Sequence, residues 1–161
     1  MKALIILISS FTISLIIIRL YKKEYKFPLA GRIAMASMLL FTATGHFLFP
    51  EGMAAMIPGF FPFKQFTVVF TGVLEIIFAI GLLTYRDQKT IGSIIVIFFI
   101  LIVPANIYAA IEGVNYQTGE LDGPGVTYLW FRIPLQVLFV IWTYLTTIKG
   151  SLKTKSVTSM E

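Results

Sequence analysis

Few residues of this chain combine a reactive side chain with an apolar setting: His46, Glu75, Asn106, Arg132 and Gln136. The stretch "TGVLEIIFAIGLL", Thr71 to Leu83, holds a single carboxylate, Glu75, among apolar residues, glycine and one threonine. Spacing groups these residues further. Arg132 and Gln136 are four apart and share a helix face, as do Thr42 with His46 and Thr71 with Glu75. A carboxylate and a guanidinium can pair bidentately, so the economical expectation is Arg132 reaching Glu75. Such a pair can lock helices together or face a ligand. A neutral buried carboxyl could instead donate a hydrogen bond or a proton. His46 could serve as a proton donor, a ligand contact or an interfacial aromatic. Asn106, two residues after Pro104, is expected to bond the carbonyls that the proline leaves free.

Other chemistries are excluded by composition. The chain has no cysteine and one histidine. That removes disulfides, thiolate nucleophiles, cysteine-held iron–sulfur clusters and bis-histidine haem, and leaves no second soft ligand for a zinc site. No catalytic residue is assigned, no metal is expected, and the chain itself carries no cofactor.

The elements that must position these residues are helices within a membrane. Of 161 residues, 57% are hydrophobic and 13% charged, with a mean hydropathy of +0.86, which marks an all-α integral membrane protein. Five long apolar windows, about residues 3–20, 32–49, 66–85, 91–111 and 127–148, approach the roughly 20 residues a spanning helix needs. They are continuous runs and not the alternating segments of a β-barrel. The first window is followed by Arg19, Lys22, Lys23 and Lys26 with no small-residue cleavage site, and so reads as a retained helix. Three regions result: an N-terminal transmembrane helix with its basic flank (1–26), a four-helix membrane domain (27–149) and a polar cytoplasmic tail (150–161).

Charge orients the spans. Arg19, Lys22, Lys23, Lys26, Arg32, Arg86, Lys89, Lys149, Lys153 and Lys155 fall on one side, whereas Lys2 and Lys64 fall on the other with Glu51, Glu112, Glu120 and Asp122. By the positive-inside rule the N-terminus is outside and the C-terminus cytoplasmic, in a multi-pass protein of the plasma or inner membrane. The same distribution accounts for the net charge of +5 topologically and sets nucleic acid aside. At 1.5 Å per residue, Glu75 and Gln136 lie roughly 13 to 14 Å below the outer boundary, and His46, Asn106 and Arg132 roughly 5 to 8 Å. Together they describe a polar pocket opening outward.

The outer connection "FPEGMAAMIPGFFPF" is expected to lie in the interface, as a greasy turn or a lid, and "EGVNYQTGELDGPG" to be a solvated turn without chemistry. Trp130 and Tyr128 suit an outer aromatic belt and Tyr85, Tyr21 and Tyr25 an inner one. Gly31, Ala34, Ala36, Gly45, Gly72 and Gly81 permit close helix contact.

"GHFLFPEGMAAMIPGFFPF", "TGVLEIIFAIGLL", "PANIYAAI" and "LWFRIPLQVLFVIWTY" in this order resemble the DoxX-like family of small four-helix membrane proteins, over about residues 32–148. The resemblance implies a four-helix bundle to which residues 1–26 add a helix, and marks Glu75 with Gly72 and Gly81, His46, and Arg132 with Pro134 as the family's positions. It also implies an accessory subunit of a membrane redox system, quinone-linked and not an autonomous oxidoreductase, with electrons from partner subunits or a bound quinone. On that reading a quinone head group would stand against Glu75, Arg132 and Gln136. Two alternatives stay open. One is a lipophile-binding protein or isomerase-type enzyme that exchanges protons with an isoprenoid- or sterol-like molecule through Glu75 and His46. The other is a structural or transport-related bundle whose polar residues only join helices.

Overall fold

The computed structural model describes residues 2–149. The tail of residues 150–161, with Lys153 and Lys155, lies outside the described residues. Among those described there are helices and no strands: α1 (Lys2–Lys22), α2 (Phe27–Leu48), the short α3 (Pro50–Ala55), α4 (Lys64–Thr84), α5 (Gln88–Leu101), α6 (Val103–Ile111), a 3-10 turn (Val126–Tyr128), α7 (Leu129–Thr143) and a π-helical segment (Tyr144–Lys149). Five segments are long and apolar enough to cross a membrane: Lys2–Lys22, Phe27–Leu48, Lys64–Thr84, Gln88–Ile111 and Val126–Lys149.

Local sequence explains where these helices begin, break and end. Asp87 caps α5, its carboxylate accepting from the Lys89 and Thr90 amides. Pro28 stands in the first turn of α2 and Pro50 in that of α3, where a missing amide hydrogen costs nothing. Pro104 divides the fourth span into α5 and α6, because a proline without N–H cannot serve the carbonyl four residues back.

α2 lies at the centre, packed against α1 on one side and α4 on the other. The core joins Leu7 of α1, Ala34, Met35, Met38 and Leu39 of α2, Phe78 and Leu82 of α4, Ile95, Phe98 and Phe99 of α5, and Phe139 of α7. Ring contacts run across it from Phe78 to Phe98 (5.2 Å between centroids) and from Phe99 to Phe139 (5.8 Å). Apolar residues also cover the outside: Ile77, Ile80, Leu83, Ile97, Ile100 and Val137 are exposed, the surface that a hydrocarbon solvent favours.

Small residues set the helix spacing. Gly31 and Gly92 receive Thr146 and Thr147 of the π-helical segment so closely that a Cβ at either would overlap them. The Trp142 indole N–H donates to the Gly31 carbonyl (3.1 Å) and packs edge-on against Phe11 of α1. The π-helical segment and the role of Gly92 were not anticipated from the sequence.

The 112–125 connection is a built cap. The Val114 amide donates to the Ala109 carbonyl (2.8 Å), the Gly123 amide to the Gly113 carbonyl (2.7 Å), and the Asn115 side chain to Asp122 (3.1 Å). Gly113, Gly119 and Gly125 supply the positive φ values the path requires. The cap rests on α3. A Cβ at Gly52 would overlap the Tyr116 carbonyl, and the Phe49 and Tyr116 rings meet edge-on at 6.1 Å.

Candidate functional site

The five polar residues separate into two groups plus one bond. The expected Arg132–Glu75 pair does not form: among the described residues the ion-pair partner of Glu75 is His46, with Nε2 3.7 Å from Oε2. Arg132 donates instead to the Asn106 side-chain oxygen (2.7 Å). Depth explains the exchange. The last turn of α2 lies beside the middle of α4, since Gly72 faces His46. Gly72 is eight residues from the start of α4 and His46 two from the end of α2, so α4 projects past α2 by about 9 Å at 1.5 Å per residue. His46 therefore reaches Glu75, and α3 packs against α4 beyond the end of α2.

Asn106 is corrected likewise. Its side-chain oxygen accepts from Arg132 (2.7 Å), and Gln136 Nε2 donates to the Phe99 carbonyl (2.8 Å), one residue before the Ile100 carbonyl that Pro104 leaves free. Gln136 and Asn106 are thus helix-joining residues between α7 and the α5–α6 break, and both are buried.

His46 has a polar neighbour at each ring nitrogen, Thr71 at Nδ1 and Glu75 at Nε2. Thr71 Oγ1 lies 2.8 Å from the Val68 carbonyl and 3.0 Å from that of Thr67, so its single proton is given to the backbone. It also stands 3.2 Å from His46 Nδ1, within hydrogen-bond distance. On the other side of the ring, Nε2 faces Glu75 Oε2. The 3.7 Å separation is longer than a hydrogen bond. Glu75 Oε2 is fully buried and takes no hydrogen bond among the described residues, leaving capacity on both atoms for a third group. The Glu75 side chain is 6% exposed and that of His46 18%, so access is from the histidine side.

Thr71 was legible from its place four residues before Glu75, on the same helix face. Among the described residues no cluster of histidine, cysteine, aspartate and glutamate could hold a metal ion.

A family model described as a domain of unknown function, DUF8561, matches residues 35–147. The chain belongs to that family. The DUF8561 match runs from Met35 in α2 into the π-helical segment, includes both polar groups, and leaves α1 outside. No curated protein and no solved structure matches the chain.

Proposed function

We propose that this DUF8561 member is a multi-pass protein of the plasma or inner membrane that binds the polar head of an apolar molecule between α2 and α4, exchanging a proton with it at His46 and Glu75. One observation carries the reading: Glu75 Oε2 is buried, has no hydrogen bond, and faces an imidazole across a gap too wide for one. A buried carboxyl so placed costs stability unless a group completes it. A hydroxyl bridging Nε2 and Oε2 would do so by accepting from one residue and donating to the other, and a carbonyl oxygen would accept from whichever of the two carries the proton. The basic flanks support the orientation with the N-terminus outside and the C-terminus cytoplasmic.

A quinone head group suits this chemistry. The resemblance of the four quoted motifs to the DoxX-like family favours it and an accessory place in a membrane redox system. Reducing a quinone to a quinol takes two electrons and two protons. The electrons would come from a partner subunit, and the His46–Glu75 pair would hold a proton beside the carbonyl. An isoprenoid- or sterol-like alcohol or ketone is the alternative ligand, with the pair in an isomerase-type role. The Arg132–Asn106 bond and the Gln136 bond to the Phe99 carbonyl join helices and lend no support to proton transfer at those residues.

The deciding experiment is extraction and mass spectrometry of lipids and quinones carried by the purified full-length protein, wild type against Glu75→Gln. A prenyl-quinone or other oxygenated lipophile is expected with the wild type and depleted in the variant. Identical lipid content in the two would reject a ligand at Glu75.

A further inference from the structure

We propose that Arg132 and Asn106 form a second binding site, for the phosphate of an anionic phospholipid head group at the α3 end of the bundle. The inference is independent of the His46–Glu75 reading. Its basis is an imbalance of donors over acceptors. Arg132 is half-buried in the first turns of α7. Among the described residues no carboxylate pairs with it. Its hydrogen bond there is to a neutral acceptor, the Asn106 side-chain oxygen at 2.7 Å, and its remaining neighbour of note is the Tyr128 ring, 5.8 Å from Cζ. A guanidinium has five N–H donors, so one bond leaves most of them unused. With Asn106 oriented by that bond, its amide nitrogen is a further donor, and no acceptor bonds it among the described residues. The cluster offers N–H groups and one full positive charge, and only a strong, multidentate, anionic acceptor balances both.

Phosphate meets that description better than a carboxylate, because its oxygens can take the guanidinium edge and the amide together. Location favours a lipid. Arg132 is three residues from the start of α7, roughly 5 Å along the helix. Head groups stand near that level, and a long arginine stem reaches them. The bond to Asn106 does what ordinary snorkelling does not: it fixes the guanidinium plane, so that one edge is presented in a defined direction.

The test uses the full-length protein in a neutral detergent, titrated separately with phosphatidylglycerol, diacylglycerol of the same chains, and inorganic phosphate, with retention read by native mass spectrometry and protection by thermal unfolding. Wild type is expected to retain phosphatidylglycerol and not diacylglycerol. Arg132→Gln should bind it roughly 10- to 100-fold more weakly, the range for one charge-assisted hydrogen bond. Asn106→Leu should weaken it less. Protection by inorganic phosphate equal to that by phosphatidylglycerol would uphold the anion site and assign it to a soluble phosphate. Equal retention of phosphatidylglycerol and diacylglycerol by the wild type would overturn the proposal, and this comparison stands even if Arg132→Gln fails to fold. Wild-type retention by a folded Arg132→Gln protein would overturn it as well. Neither result touches the reading of Glu75, which these variants leave intact.

Discussion

Gly72 lies directly beneath His46, where a Cβ would stand 2.7 Å from that of the histidine. This contact lets α2 and α4 approach until the imidazole is level with Glu75. Gly72→Ala must therefore push the helices apart or tilt one of them. Overpacking of this kind costs about 1 to 3 kcal/mol. A thermal or denaturant unfolding curve of the purified protein should show that loss. Gly59→Ala is the control, since no atom lies within 4 Å of a Cβ there, and its curve should overlay the wild type.

Glu75→Gln separates ligand chemistry from helix joining. In the unliganded protein Glu75 Oε2 has no hydrogen bond to lose, and the amide keeps the shape of the carboxyl while it cannot ionise. Stability should stay within about 0.5 kcal/mol of wild type or rise. A loss of several kcal/mol on unfolding, the signature of a broken buried ion pair, would instead show that the His46–Glu75 contact holds the bundle together.

Coupling energies should follow the two groups. A double-mutant cycle on Arg132 and Asn106 should give about 0.5 to 1.5 kcal/mol, the scale of interhelical hydrogen bonds in membranes. The same cycle on Arg132 and Glu75 should give less than about 0.5 kcal/mol, as for residues that share no partner. Coupling of Glu75 to Arg132 above that to His46 would contradict the arrangement found.

Periodicity and length made the five spans legible, because an apolar run of about 20 residues has few other uses. The polar inventory was legible for a similar reason: polar side chains stand out in greasy helices. Their partners were not. Depth counted from each span's own end assumes that all helices finish level. α2 stops at Leu48 while α4 starts well beyond it at Lys64, so counting from the span ends places His46 shallower relative to Glu75 than it lies. Asn106 and Arg132 fell at equal depth and do bond, but a carboxylate was the more obvious mate for a guanidinium. The capped 112–125 connection was hidden for another reason. Its order comes from three glycines at positive φ and from docking on Gly52, neither of which polar composition reveals.

The π-helical end of the last span yields a size-exchange test. Gly31 faces Thr146 so closely that an added Cβ would overlap Thr146 Cγ2, with Thr146 Cβ at 3.0 Å. Gly31→Ala alone should cost about 1 to 3 kcal/mol. Serine at 146 lacks Cγ2 but keeps the hydroxyl that donates to the Trp142 carbonyl at 2.8 Å, so Thr146→Ser alone should cost little. Combined, the two changes remove the principal overlap and leave only the tighter Cβ contact. The double variant should then be more stable than Gly31→Ala by about 0.5 kcal/mol or more, a coupling that only touching residues show. Strict additivity in unfolding experiments would mean that Thr146 does not seat on Gly31, and that the π-helical turn is not what sets the distance between α2 and the last span.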